Sequence, residues 1–265
     1  MRLRLAGESA VTLFVLAALS LAACGAGGGQ AGATPGEAQA SPAQSSPAGT
    51  KVTGLCANQY LPVVKGATWS YERTNSLSSA SSRVDNAITD VGPTQFTILS
   101  AVGKFSAEEV WTCTKEGLLR QENSGGAFAA VLRGPTGSAT VTVRENTGIT
   151  VPANVKAGDT WTQKTAFDIQ VHDVAITVRQ TANFKALGPD QVAVPAGTFN
   201  AMRVSVAAAI EYTQSGYTSN GNYDATLWWA AGIGSVKNAG TISVAGGGGL
   251  FDYADVLQSY SIPKQ

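Results

Sequence analysis

From Ala67 onward apolar and polar residues alternate with a period of two, and no window carries the 3.6-residue period of an amphipathic helix. Ala67, Trp69 and Tyr71 alternate with Thr68, Ser70 and Glu72, which predicts a first strand with an aromatic inner face. Strands are predicted over 83–91 and 95–102, parted by the turn pair Gly92-Pro93. A further pair, 109–114 and 117–121, flanks Lys115-Glu116. Ser124-Gly125-Gly126 breaks the chain, 127–135 reads as a loop or a short strand, and 139–145 reads as a strand.

The clearest pattern lies at 160–187. Trp161, Thr165, Phe167, Ile169 and Val171 share one parity, whereas Val174, Ile176, Val178, Ala182 and Phe184 share the other. The switch at His172-Asp173 predicts a tight hairpin turn between two long strands, with a β-bulge in one continuous strand as the alternative. Strands follow at 201–212, 223–229, 235–238, 241–244 and 250–261, with Gly246–Gly249 as a turn. Many antiparallel strands without crossover helices predict an all-β domain: a curled antiparallel meander sheet or a β-barrel-like domain.

The N-terminal stretch has a different pattern. Arg2 and Arg4 precede an apolar run from Val11 to Leu21, too short for a membrane-spanning helix and of the length a signal peptide needs. It ends in Leu21-Ala22-Ala23-Cys24, which resembles the bacterial lipoprotein signal. That resemblance implies cleavage before Cys24 and a diacylglyceryl group on its thiol. The alternatives are an ordinary secretory signal ending in Ala-Ala-Cys, or a buried free cysteine. Two acyl chains hold a protein stably on a membrane, whereas one holds it only marginally. Residue 25 is Gly rather than Asp, so nothing there signals inner-membrane retention. Residues 25–50 are rich in Gly, Ala, Ser and Pro with Glu37 as the only charge, a composition that cannot offset the entropy of ordering. As a flexible coil this linker has a reach of roughly 30 Å. The division is therefore a signal peptide at 1–23, a lipidated cysteine and disordered linker at 24–50, and a single antiparallel β-domain at 51–265.

Composition narrows the partners. Loss of residues 1–23 removes Arg2, Arg4 and Glu8, leaving basic and acidic residues nearly balanced and no field to draw nucleic acid or anionic lipid. Charged residues are 14% of the chain, against about 25% in a typical soluble domain, as is common in exported β-proteins. With Cys24 assigned to lipid, Cys56 and Cys113 form an even pair, which in an exported chain reads as a disulfide, with two free thiols as the alternative.

Two stretches echo each other: Leu61-Pro62-Val63-Val64-Lys65-Gly66-Ala67-Thr68-Trp69, and Val151-Pro152 through Val155-Lys156 to Gly158-Asp159-Thr160-Trp161. Each is a turn that opens a strand on a tryptophan, either marking two similar half-sheets or using one strand opening twice. Three segments together resemble a broad group of uncharacterised bacterial exported and surface lipoproteins. They are Tyr60-Leu61-Pro62 leading into Gly66-Ala67-Thr68-Trp69-Ser70-Tyr71, Val194-Pro195-Ala196-Gly197-Thr198-Phe199 leading into Met202-Arg203-Val204, and Trp228-Trp229-Ala230-Ala231-Gly232-Ile233-Gly234-Ser235-Val236-Lys237. The resemblance implies an all-β exported domain and brings no reaction or catalytic residues. In architecture the chain is also similar to curled-sheet lipoprotein carriers that hold acyl chains in a concave face.

Catalytic signals are sparse. His172 is the only histidine and falls at the expected hairpin tip, and no G-x-S-x-G element supplies a nucleophile. Carboxylates at Glu108, Glu109, Asp168, Asp173, Asp252 and Asp255 leave a carboxylate-based hydrolase as a third reading. No EF-hand or phosphate loop is present, so neither metal nor cofactor is expected. Trp69, Trp111 and Trp161 read as strand anchors. Trp228 and Trp229 are adjacent and point to opposite faces of a strand, so one of them is the candidate to line a ligand-binding concavity or to rest under a loop.

The leading expectation is a non-enzymatic, extracytoplasmic lipoprotein held at the bacterial membrane or cell surface by lipid on Cys24, with an apolar or amphipathic ligand in a concave β-sheet. An envelope interaction module without a pocket is the alternative. The Cys24→Ser variant should appear in the soluble fraction or stay unprocessed on fractionation and immunoblotting. Normal membrane retention would refute the anchor.

Overall fold

The computed structural model describes residues 54–103, 105–121, 139–171, 173–245 and 250–264. Cys24, the linker, the 127–135 stretch, His172 and the Gly246–Gly249 turn lie outside the described residues. Thirteen strands run along the described chain: β1 (Thr68–Asn75), β2 (Ser78–Val91), β3 (Gln95–Val102), β4 (Phe105–Cys113), β5 (Gly117–Arg120), β6 (Ala139–Gly148), β7 (Val151–Pro152), β8 (Thr160–Val171), β9 (Val174–Val194), β10 (Gly197–Gln214), β11 (Tyr217–Ala230), β12 (Gly234–Val244) and β13 (Leu250–Ser261). They form one antiparallel sheet in the order β6-β8-β9-β10-β11-β12-β13-β1-β2-β3-β4-β5-β7. The all-β meander is thus as the alternation predicts. The parity switch is a hairpin: Val171 pairs with Val174, so the reversal occupies 172–173 and the bulge alternative falls. The segments expected at 235–238 and 241–244 are one strand, β12, continuous through Ala239-Gly240.

The curl follows from connectivity. β6 and β7 are the two edges of the sheet, yet only Ile149 and Thr150 separate them in the chain. Three steps of about 3.8 Å bring the edges within roughly 11 Å of each other at this corner. The backbone ladder does not close into a barrel, and side chains bridge the seam instead. Asn146 Nδ2 donates to the Arg120 carbonyl (3.0 Å) and to Gln121 Oε1 (3.1 Å). Thr150 Oγ1 donates to Gln163 Oε1 (2.8 Å) and accepts from the Arg120 backbone N–H (3.0 Å). Gln163 Nε2 donates to Asn146 Oδ1 (3.2 Å). Gln163 is buried, and its amide stays hydrogen-bonded, as burial of a polar group demands. Gly148 sits on the corner with φ +90°, where an added Cβ would lie 2.0 Å from the Thr162 carbonyl oxygen, so a side chain has no room.

The opposite parities divide cleanly. Inward positions bury Trp69, Tyr71, Val84, Ile88, Ile98, Phe184, Val204, Val206 and Trp229 in one core. Outward positions carry exposed Glu72, Lys164, Arg179, Lys185 and Asp224, a hydrated surface. Among the described residues no helix is long and apolar enough to cross a membrane.

The segment ahead of β1 enters one end of the curl and buries Cys56, Tyr60, Val63, Val64 and Ala67 there. It is held by Asn58 Nδ2 to the Pro152 carbonyl (3.0 Å), by the Gly232 N–H to the Gln59 carbonyl (2.9 Å) and by the Cys56–Cys113 disulfide. This end, the base, also gathers the other motifs the sequence singles out. Trp69 Nε1 donates to the Ile233 carbonyl (2.6 Å), and the Ala196 N–H bonds the Leu257 carbonyl. Trp161 of the second echo stacks on Phe184 with centroids 5.3 Å apart.

The disulfide spans a sequence separation of 57, for which the chain-entropy relation gives about 4 kcal/mol. Replacing Cys56 and Cys113 together by Ala should lower the thermal midpoint by on the order of 10 °C. A midpoint unchanged in a calorimetric scan would show that the base is held without the cross-link.

Candidate functional site

The curl encloses a cavity of about 270 Å³ above the entry segment. Its wall is assembled from neighbouring strands by register. Trp69 on β1 faces Asn86 on β2, which faces Ser100 on β3; Ile98 on β3 faces Glu109 on β4, and Phe96 faces Trp111. Tyr60 and Leu61 of the entry segment form part of the lining, and Trp229 on β11 and Ser235 on β12 complete the far wall. Five aromatic side chains therefore surround it: Tyr60, Trp69, Tyr71, Trp111 and Trp229.

Polar atoms in this lining fall into two groups. Some are turned into the protein: Trp69 Nε1 reaches Ile233, and the Tyr71 hydroxyl donates to the Ser235 carbonyl (2.9 Å). Arg73 is held by Asp255 through two bonds, Nε to Oδ1 at 2.6 Å and Nη2 to Oδ2 at 2.8 Å. Burial disfavours the Arg73 cation, but the hydrogen-bonded Asp255 carboxylate more than offsets this and keeps the guanidinium charged. The others are unpaired. Trp111 Nε1 and Asn86 Oδ1 are buried without a hydrogen-bond partner among the described residues. Glu109 makes no hydrogen bond or ion pair among the described residues, although it lines the cavity and is half-buried. An orphaned buried donor or acceptor costs free energy that a bound group could recover.

A phenol cluster lies on the neighbouring strands. Tyr223 and Tyr253 stack with centroids 5.9 Å apart and hydrogen-bond through their hydroxyls, and Tyr253 also donates to Asn238 Oδ1 (3.1 Å). Burial pushes both phenols above the usual range, and for Tyr253 the adjacent Tyr223 pushes further.

The two adjacent tryptophans separate as their parity requires. Trp229 faces inward, 7% exposed, with Tyr60 and Trp161 each 6.0 Å away. Trp228 lies on the outer face, where Nε1 donates to Asp190 (3.0 Å) and Lys237 sits 5.0 Å over the ring, so it does not line the cavity. Cys56 and Cys113 are joined, and the free-thiol alternative falls. The carboxylates scatter. Asp168 is held by Arg144 and Thr177, with the Arg144 hydrogen bond foremost in keeping its carboxyl below the ordinary range. Asp252 accepts from Thr241, and Asp255 is taken by Arg73. No group of three His, Cys, Asp or Glu able to hold a metal occurs among the described residues.

Sequence reasoning passes over Asn86, Arg73 and the pairing of Glu109 with Trp111. The signal available is polarity on the inner parity: Asn86 falls between Val84 and Ile88, Arg73 follows Trp69 and Tyr71, and Glu109 shares the parity of Trp111.

Burial also raises Tyr60, Tyr71 and Tyr212. A raised phenol stays protonated in the folded state while the unfolded chain ionises near pH 10. Its contribution is full below pH 10 and is lost as pH rises further. Urea midpoints should therefore fall between pH 9 and pH 11, and the phenolate absorbance of these buried tyrosines should appear only as the domain unfolds. Phenolate absorbance at full amplitude without loss of structure would contradict this burial.

No protein-family model matches the chain. No curated protein matches it either. Among solved structures, a candidate lipoprotein of Parabacteroides distasonis is 12% identical with a TM-score of 0.46, covering 77% of this chain and 99% of its own. A candidate exported protein of Bacteroides fragilis with a YmcC-like fold is 13% identical with a TM-score of 0.48, covering 78% and 100%. Likeness at this level carries no function across.

Proposed function

We propose that this chain is a non-enzymatic lipoprotein of the bacterial exterior, tethered through Cys24, whose β-domain shelters an apolar or amphipathic small molecule. The observation that carries the reading is the cavity walled by five aromatic side chains, with Glu109 on its wall unpartnered among the described residues. A domain built only for strength gains from filling such a space, because interiors pack densely and voids are costly. At about 270 Å³ the cavity lies just below the ~300–1,000 Å³ typical of ligand pockets, which suits a molecule of one ring or a short chain. The Cys24 lipid supplies location and the roughly 30 Å linker supplies reach. No catalytic role is assigned: Asp168, Asp252 and Asp255 are each committed to a partner, and Glu109 is the one carboxylate among the residues that line the cavity, without the second that a carboxylate pair needs.

Titration with naphthol, octanol and nonylamine tests the reading through tryptophan fluorescence. At least one should give a saturable change in the wild-type protein. Ser100→Trp should weaken it tenfold or more by filling the space, and Val84→Phe serves the same purpose should the first variant fold poorly. No saturable change with any of the three, in protein shown to be folded, would sink the reading and favour an envelope interaction module.

A further inference from the structure

We propose that the cavity selects an organic cation, an ammonium group on a small apolar body. This rests on the reading of the cavity as a binding site and adds the chemistry of its occupant. The charge balance of the lining decides the sign. Arg73 lines the space, but both arms of its fork bond Asp255, so that pair contributes no net charge. Arg120, which pairs with Trp111 across β4 and β5, is not part of the lining. The remaining charge is the Glu109 carboxylate, without a partner among the described residues. A half-buried carboxylate lacking a counter-ion is stabilised by a cation brought beside it.

The walls agree with this sign. Five aromatic rings border the space, and the negative π faces of Trp and Tyr attract ammonium groups, most strongly when these are desolvated. With Trp69 Nε1 and the Tyr71 hydroxyl bonded to backbone carbonyls, neither competes for the ligand. A small amine satisfies these conditions, whereas a fatty acid would place a second carboxylate near Glu109.

Benzyltrimethylammonium and its uncharged carbon isostere, neopentylbenzene, separate the two levels of the claim when titrated by tryptophan fluorescence. The cation should bind the full protein at least tenfold more tightly than the isostere. Glu109→Gln should remove most of that difference and leave the isostere within twofold. Equal binding of cation and isostere, unchanged by Glu109→Gln, overturns the cation assignment and leaves the enclosing function standing. Absence of binding by either, where naphthol, octanol or nonylamine still binds, overturns the cation assignment alone; absence of binding by all of them overturns both.

Discussion

The two-residue link between β6 and β7 is the constraint on which the rest of the structure depends. It ties the first and last strands of a thirteen-stranded sheet to one corner, so the sheet cannot lie open. A sheet that curls this far needs its inner parity filled or its interior defined, and it needs its edges covered. Here Asn146, Thr150 and Gln163 cover them by bonding across the seam, standing in for the ladder that a closed barrel would have. The entry segment fills the base, cross-linked through Cys56 and Cys113. The cavity is the space between these two devices.

That placement explains why the interior is mixed in character. Aromatic residues near the base anchor strands by both packing and a single outward bond, as Trp69 does to Ile233. Further along, Arg73, Asp255, Tyr223, Tyr253 and Asn238 satisfy one another. Between the two zones Trp111 Nε1, Asn86 Oδ1 and Glu109 have no partner among the described residues, in contrast to Trp69, Tyr71 and Arg73 of the same lining. The contrast, rather than the size of the cavity, is what points to an occupant.

The strand pattern was legible because one face is buried and the other wet, which writes period two into the chain; 95–102 and 250–261 match the observed strands in full. The hairpin at 172–173 was legible from a parity switch alone. The seam was not. Asn146 and Gln163 face inward, yet their polar side chains read as solvent-facing until the opposite edge is in place. β12 read as two strands because Ala239-Gly240 interrupts its apolar pattern, whereas its pairing with β11 continues through both residues. Parity separated Trp228 from Trp229, but only the curl decided which of them turns inward. The site shared this fate: Glu109 and Trp111 on β4, Asn86 on β2 and Trp229 on β11 meet through register across the sheet, and no spacing along the chain records that meeting.

Crystals of the protein soaked with iodobenzene test the central claim most directly, since the iodine is located by its anomalous signal. The account predicts a peak inside the curl among Tyr60, Trp69, Trp111 and Trp229. An interior filled by side chains, with iodine only on the outer surface, would contradict it.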